Sequence, residues 1–121
     1  IFAPEDEIRR QVMSMVTDTQ RIKRTDPGRP EVCNVCQLQR FFGDDYLQLW
    51  EGERTAATGC VDMKRLLADR IIRHYAPARE LYAELMAHPE RVDGILEAGA
   101  DRLRPMAAAT MDEVRVKMGL R

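Results

Sequence analysis

Apolar side chains recur at steps of three and four residues through the second half of the chain. One such series runs from Met63 to Leu85, and a second runs from Val92 to Met118. This spacing places each series on one face of an α-helix, whereas no segment alternates apolar and polar residues as a β-strand does. We therefore predict an all-α fold, a bundle of about five helices that ends in a long antiparallel helical hairpin.

Proline, glycine and acidic residues set the predicted boundaries of the other helices. The pattern predicts helices over 4–16, 31–42 and 44–50, the first entered through Pro4 and the third capped by Asp44. It predicts loops over 19–30 and 51–60, because both are polar and contain glycine. Pro77 is expected to kink or break the helical run near His74, and Pro105 to kink the last helix.

The length of the chain limits the kind of protein it can form. With 121 residues it has sequence for one buried core, so we expect residues 1–121 to form a single helical domain. The chain begins with Ile1 instead of Met, and we expect it to be a piece of a longer protein. No signal peptide, membrane-spanning run, phosphate-binding glycine loop or nucleophile elbow is found in the sequence.

Charge is arranged in blocks even though the formal net charge is only −1. Residues 9–40 contain seven basic and three acidic side chains, and residues 54–79 contain six basic and two acidic ones. Arginine predominates among the cations, and its planar guanidinium suits phosphate groups and stacks on bases. The two blocks could together face an anionic partner such as RNA, or each could be a solvated helix surface.

Cysteine and histidine give weaker indications of chemistry. Cys33 and Cys36 form a C-x-x-C pair, and Cys60 is the third cysteine of the chain. Such a pair can begin a metal site, but a second pair is missing, and small buried apolar side chains explain the cysteines as well. The histidines, His74 and His88, are expected to have structural or surface roles.

Several phrases in order resemble bacterial tryptophanyl-tRNA synthetases. They include Val-Met-Ser-Met-Val-Thr-Asp at 12–18, Arg-Thr-Asp-Pro-Gly at 24–28, Pro-Glu-Val-Cys-Asn-Val at 30–35 and Gly-Cys-Val-Asp at 59–62. Later ones are Glu-Ala-Gly-Ala at 97–100 and the segment 113–120. The resemblance covers the chain from end to end and is to the C-terminal part of that family, beyond its Lys-Met-Ser-Lys-Ser signature.

The resemblance implies a helical region that binds the tRNA anticodon and helices that pack on a catalytic Rossmann domain absent from this chain. The parent enzyme would be cytoplasmic and homodimeric, would activate tryptophan with ATP and would transfer it to tRNA. The fragment alone is predicted to be inactive, with no catalytic residues and no membrane contact. The candidate tRNA-binding residues are Lys23, Arg24, Arg29, Arg54, Lys64 and Arg65.

Some members of this family carry a 4Fe–4S cluster near the anticodon region, held by four cysteines. By resemblance, Cys33 and Cys60 occupy two of these positions, while Glu53 and Met63 stand at the other two and Cys36 is additional. Because such a cluster needs about four thiolates, we expect no metal and no cofactor in this chain. Two alternatives remain open: a helical protein-interaction module without an RNA role, and a redox or metal module built on the three cysteines.

Overall fold

A computed structural model describes residues 2–120, and within them the chain forms six α-helices. They are α1 (Glu5–Ser14), α2 (Asn34–Gln39), α3 (Tyr46–Arg54), α4 (Cys60–His74), α5 (Ala76–Ala87) and α6 (Pro89–Lys117). No strand occurs in residues 2–120, so the predicted all-α class is confirmed. Ile1, on which part of the expectation of a longer protein rested, lies outside the described residues.

The first helix follows the predicted pattern except at its end. Pro4 precedes it, three acidic residues occupy its first turn, and Ile8 and Val12 are buried on its inner face. Acidic side chains are favourable there because they lie near the positive end of the helix dipole. The helix stops at Ser14, however, so Val16 falls outside it and is exposed.

The third helix differs from its prediction at both ends. It begins at Tyr46, and Asp44 does not cap it; at the N-cap position stands Asp45, whose carboxylate instead accepts hydrogen bonds from Arg70 at 2.7 Å. It also continues through Gly52 to Arg54, where a loop was predicted. Glycine at position 52 lets the side chain of Thr58 lie close to the helix backbone, since a Cβ atom there would lie 2.4 Å from Oγ1 of Thr58.

The predicted break near His74 is confirmed. Helix α4 ends at His74 and α5 begins at Ala76, so Pro77 stands in the first turn of a new helix, where its missing N–H costs little. The side chain of Arg79 donates to the carbonyl oxygen of Ile72 at 2.9 Å and so satisfies an acceptor at the end of α4. The ring of His74 packs edge-on against Phe42 and Tyr75, a structural role as expected.

The buried core is centred on α4. Helix α4 packs on α1 and on α2, and α2 packs on α3. The core residues are Ile8, Val12, Cys33, Val35, Cys36, Met63, Leu67, Ala68 and Ile72. Phe42 and Trp50 pack against this core, whereas Phe41 is exposed beneath the guanidinium of Arg40.

Internal contacts divide the chain into two compact units, one that ends at Glu80 and one that begins at Leu81. In the second unit His88 alone separates α5 from α6, and neither helix has a buried residue. The predicted packing of a long hairpin along the 92–118 face is therefore wrong, because its members Leu96, Leu103 and Met106 are exposed. Whether residues 1–121 form a single domain stays a prediction.

Within residues 2–120 no helix combines the length and the apolar character that crossing a bilayer requires. Helix α6 is the longest of the six, and it continues through Pro105 without interruption.

Candidate nucleic-acid interface

A cavity of about 310 Å³ lies between the loop that follows α1 and the beginning of α4. Its lining consists of Thr17 and residues 21–24 on the loop side and residues 59–62 on the helix side. We call it the loop cavity. Its two sides, residues 21–24 and 59–62, come from different basic blocks and are about forty residues apart in the sequence.

The side chain of Arg21 fixes the shape of the loop. Its Nη2 donates to the carbonyl oxygens of Arg24, at 2.9 Å, and of Thr58, at 3.0 Å. Its Nη1 lies 3.7 Å from Sγ of Cys60, and its Nε is buried without a hydrogen-bond partner among the described residues. Arg21 thus ties the loop to the segment that leads into α4 and leaves Lys23 and Arg24 facing solvent.

Two aspartates complete this framework. The carboxylate of Asp26 accepts a hydrogen bond from the backbone N–H of Lys23 at 2.8 Å, which closes the turn between them. Asp18, whose side chain is only 1% exposed, accepts hydrogen bonds from Nε of Arg29 at 3.0 Å and from the backbone of Gln20 at 2.9 Å. The Arg29 guanidinium, with help from the Gln20 N–H, holds the pKa of the Asp18 carboxyl well below its usual range.

Three of the six predicted tRNA-binding residues lie at the loop cavity or beside it. Lys23 and Arg24 line the cavity. Asp62 at the start of α4 connects Arg24 and Arg65, with guanidinium-to-carboxylate distances of 3.7 Å and 4.0 Å. These long, exposed ion pairs restrain the arginines only weakly, so both guanidinium groups remain accessible to an anion.

Two of the other three predicted residues are held by hydrogen bonds within the protein, whereas Arg54 makes a long, exposed ion pair like those of Arg24 and Arg65. Nζ of Lys64 donates to the carbonyl oxygen of Met13 at 2.9 Å, and Arg29 is held by Asp18. Arg54 ends α3, with its Nε 3.9 Å from Oε2 of Glu51. Nothing in these contacts tests RNA binding, and all six residues stay predictions.

The loop cavity also has an apolar component that the sequence analysis did not single out. Ile22 is 87% exposed, and Val61 on the opposite side of the cavity is 48% exposed. The available signal was an isoleucine placed between Arg21 and Lys23 in a polar loop, where solvent exposure of a large aliphatic side chain has no structural benefit.

The cysteines form a separate, buried group. Cys33 and Cys36 are each 1% exposed, and burial together with the neighbouring Glu53 side chain raises the pKa of the Cys33 thiol to about 11. The pKa of the Cys36 thiol is raised further, for the same reasons. Glu53 is itself buried, and neither of its carboxylate oxygens has a hydrogen-bond partner in the described part of the chain.

This donor set does not fit a 4Fe–4S cluster. Met63 is packed in the core as an apolar side chain, Glu53 is a carboxylate, and Cys60 lines the loop cavity beside Arg21. In residues 2–120 no three side chains of His, Cys, Asp or Glu are grouped so as to hold a metal ion. The expectation that the chain lacks a cluster stays a prediction.

Comparison with known proteins relates the chain to one enzyme family. It is 38% identical over 119 residues to the tryptophan–tRNA ligase of Thermotoga maritima and 36% identical over 121 residues to that of Deinococcus radiodurans. These alignments cover 96% and 98% of this chain but 36% and 37% of the relatives. The chain is homologous to the C-terminal part of bacterial tryptophan–tRNA ligases.

The structural comparison agrees. The tryptophanyl-tRNA synthetase of Campylobacter jejuni, solved with ADP and tryptophan, matches 98% of this chain and 37% of its own length with a TM-score of 0.86 and 29% identity. No family model matches the chain. The resemblance drawn from the sequence phrases is thus confirmed, and the chain spans a little over a third of the tryptophan–tRNA ligases that it matches.

Proposed function

We propose that this chain is the tRNA-binding C-terminal part of a tryptophan–tRNA ligase and that it binds the anticodon region of the tRNA at the loop cavity. The observation that carries the proposal is that Lys23 and Arg24 of the first basic block line one cavity with the start of α4, where Asp62 connects Arg24 to Arg65 of the second block. If the blocks faced opposite sides of the unit, a shared RNA surface would be excluded. Their juxtaposition supports it, as does the homology to enzymes that act on tRNA.

Phosphate contacts account for part of the proposed binding. Lys23 and Arg24 lie on the rim of the cavity and carry the positive charge that attracts the RNA backbone. Arg65 continues this surface along α4, beyond Asp62. Arg29 and Lys64, whose side chains are hydrogen-bonded within the protein, are assigned to positioning the loop and α1 and not to direct phosphate contact.

The test is salt-dependent binding of a tRNA with the tryptophan anticodon. Lys23→Ala and Arg24→Ala are each expected to weaken binding and to reduce the slope of log affinity against log salt by about 0.7–0.9, the value for one phosphate contact. Lys117→Ala is the matched control, because Lys117 is exposed on α6 and its Nζ lies 3.8 Å from a carboxylate oxygen of Glu113 on the same helix. Equal affinity for a tRNA with another anticodon would contradict the anticodon assignment.

We further propose that the chain works together with an ATP-binding catalytic domain of a cytoplasmic, homodimeric parent enzyme. The relatives are nearly three times as long as the matched region, and the motifs for nucleotide binding are not in this chain. The chain alone is therefore expected to show no tryptophan-dependent ATP–pyrophosphate exchange. Exchange by the purified chain above the background of a boiled sample would contradict this.

A second candidate function is favoured by α6. Its exposed apolar residues, among them Leu96, Leu103 and Met106, would suit a protein partner, and the catalytic domain of the parent enzyme is the occupant we propose. If the chain were a protein-interaction module without an RNA role, no tRNA would bind in the salt titration. If the loop cavity binds tRNA and α6 binds the catalytic domain, tRNA should bind, and substitutions on α6 should not change its affinity.

A further inference from the structure

We infer that Arg79 joins the first unit to the proposed catalytic domain, by donating a hydrogen bond from Nη1 to a backbone carbonyl oxygen of the segment that precedes Phe2 in the parent enzyme. We call this contact the Arg79 joint. The inference rests on the proposed function, since it takes the chain as the C-terminal part of a longer ligase. Arg79 is thus a positioning residue, and it does not line the loop cavity.

The guanidinium group of Arg79 is buried and only partly used. The side chain is 15% exposed, and its Nη2 donates to the carbonyl oxygen of Ile72 at 2.9 Å. Its Nη1 is buried and has no hydrogen-bond partner among residues 2–120. A buried donor of a charged group is costly to leave unpaired, and a guanidinium group cannot lose its charge in a protein. An acceptor from outside residues 2–120 is therefore expected at Nη1.

The position of Arg79 indicates where that acceptor comes from. Its Nη2 also lies 3.5 Å from Oε1 of Glu5, the first residue of α1. Ala3 packs against the buried core, so the chain approaches α1 along the surface of the first unit. The relatives are matched in their C-terminal part, and the proposed catalytic domain therefore precedes α1 in the parent enzyme. Arg79 thus lies beside the place where the two parts of that enzyme are connected.

A backbone carbonyl oxygen is the acceptor that fits this place. The first turn of α1 already contains the carboxylates of Glu5, Asp6 and Glu7, which would repel a further carboxylate. Residues before Pro4 lie outside α1, so most of their carbonyl groups take no part in its hydrogen bonds and can accept from another donor. The chemistry of the site therefore favours the main chain of the preceding segment over one of its acidic side chains.

The far end of the same helix lies at the loop cavity. Helix α4 begins at Cys60, which lines the cavity, and the carbonyl oxygen of Ile72 near its other end accepts from Arg79. Its 15 residues span about 22 Å. Because buried side chains of α4 form the centre of a close-packed core, the helix moves as one piece with the first unit. The Arg79 joint therefore fixes the distance between RNA bound at the cavity and the catalytic domain.

The first experiment measures Arg79→Lys in the full-length parent enzyme. Lysine keeps the positive charge but replaces the planar fork of donors by one ammonium group, which cannot serve two acceptors in the same geometry. The kcat for transfer of tryptophan to tRNA is expected to fall roughly 10- to 100-fold, because the reacting end of the tRNA is misplaced. The KM for tRNA and the rate of tryptophan-dependent ATP–pyrophosphate exchange should each change by less than about twofold.

Arg73→Lys is the matched control, because Arg73 is an exposed arginine in the last turn of α4. It should leave transfer, KM and exchange unchanged. Circular dichroism checks that the variants fold. Arg79→Gln, whose amide can still donate to Ile72, is the second variant and should show the same loss of transfer.

The second experiment measures Arg79→Lys in the 121-residue chain alone. Its tRNA affinity should stay within about twofold of the unchanged chain at every salt concentration, because Arg79 is remote from the loop cavity. A loss of affinity in the chain alone as large as the loss of transfer in the parent enzyme would show that Arg79 acts inside the first unit, and the joint would be wrong.

The outcomes separate this inference from the proposed function. If the chain binds tRNA as proposed but Arg79→Lys behaves like Arg73→Lys in the parent enzyme, the joint is wrong and the RNA-binding proposal stands. Equal losses of exchange and transfer would also overturn the joint, since Arg79 would then act on the catalytic domain as a whole. If the chain binds no tRNA at any salt concentration, the proposed function fails and the inference fails with it.

Discussion

Helices α4 and α6 carry the same kind of apolar repeat, yet one is the centre of a core and the other has no buried residue. In α4 the repeat places Met63 and Leu67 under α1 and α2, and both side chains are almost completely buried. In α6 the corresponding repeat leaves Leu96 and Leu103 exposed. The comparison shows that a helical repeat identifies an apolar face but says nothing about what covers it.

The largest effect is expected from removing a core side chain of the first unit. Leu67→Ala should lower the free energy of unfolding by about 2–5 kcal/mol, because Leu67 is fully buried and its loss leaves a cavity. Leu103→Ala on α6, where the side chain is 54% exposed, should change it by no more than about 0.5 kcal/mol. Urea denaturation followed by circular dichroism measures both, and equal losses would show that the α6 face is covered in solution.

Two glycine-to-alanine substitutions should change the free energy of unfolding in opposite directions. A Cβ atom at Gly28 would lie 2.6 Å from Cγ of the buried Glu53, so Gly28→Ala is expected to cost about 1–3 kcal/mol of unfolding free energy. At Gly99, inside α6, a Cβ atom meets nothing within 4 Å, and Gly99→Ala should gain about 0.5–1 kcal/mol through helix propensity. Thermal unfolding gives the two signs directly, and a loss at Gly99 would reveal a close neighbour of α6.

The smallest expected effect is a pH dependence of the stability of the first unit, which arises from the ion pair between Asp18 and Arg29. Arg29 lowers the pKa of Asp18 below the ordinary value of about 3.9, so this carboxylate stabilises the fold above about pH 4. Its contribution is lost as the pH falls towards the lowered pKa. The stability deficit of Asp18→Asn should therefore be largest near neutral pH and should shrink below pH 4.

Asp101→Asn is the comparison for this titration, because Asp101 is exposed on α6 and pairs with Arg104 of the same helix. The loss of unfolding free energy caused by Asp101→Asn is expected to be near zero throughout the pH range, as for most surface ion pairs. A deficit for Asp18→Asn that stays constant between pH 7 and pH 2 would contradict the assigned ion pair.

Local periodicity and helix-stop signals predicted the parts of the fold that depend on nearby residues. The buried face of α1 and the buried positions Met63 and Leu67 of α4 followed from apolar spacing, and the break before Pro77 followed from the proline. The extension of α3 through Gly52 did not, because that glycine serves a contact with Thr58 that becomes visible only in three dimensions. The interpretation of 92–118 as a packed hairpin seam was wrong, since the repeat itself does not specify a neighbour.

The sequence predicted some residues of the candidate site but not how they come together. Lys23, Arg24 and Arg65 could be chosen from charge blocks, but their meeting around Asp62 depends on a loop and a helix that are distant in the sequence. Arg21, Ile22 and Val61 were not among the chosen residues. Arg29 illustrates the reverse case, because only the structure shows that a basic loop residue is bound to a buried aspartate.

The anchoring of the loop by Arg21 has a kinetic consequence. Because one guanidinium group holds Arg24 and Thr58 in place before any ligand arrives, the conformational entropy of the loop is lost during folding and not during encounter. Association is then governed by diffusion and by the attraction of the surrounding cations. If the loop cavity binds RNA as we propose, favoured and rejected RNAs should differ in the lifetime of the complex, while their association rates remain similar.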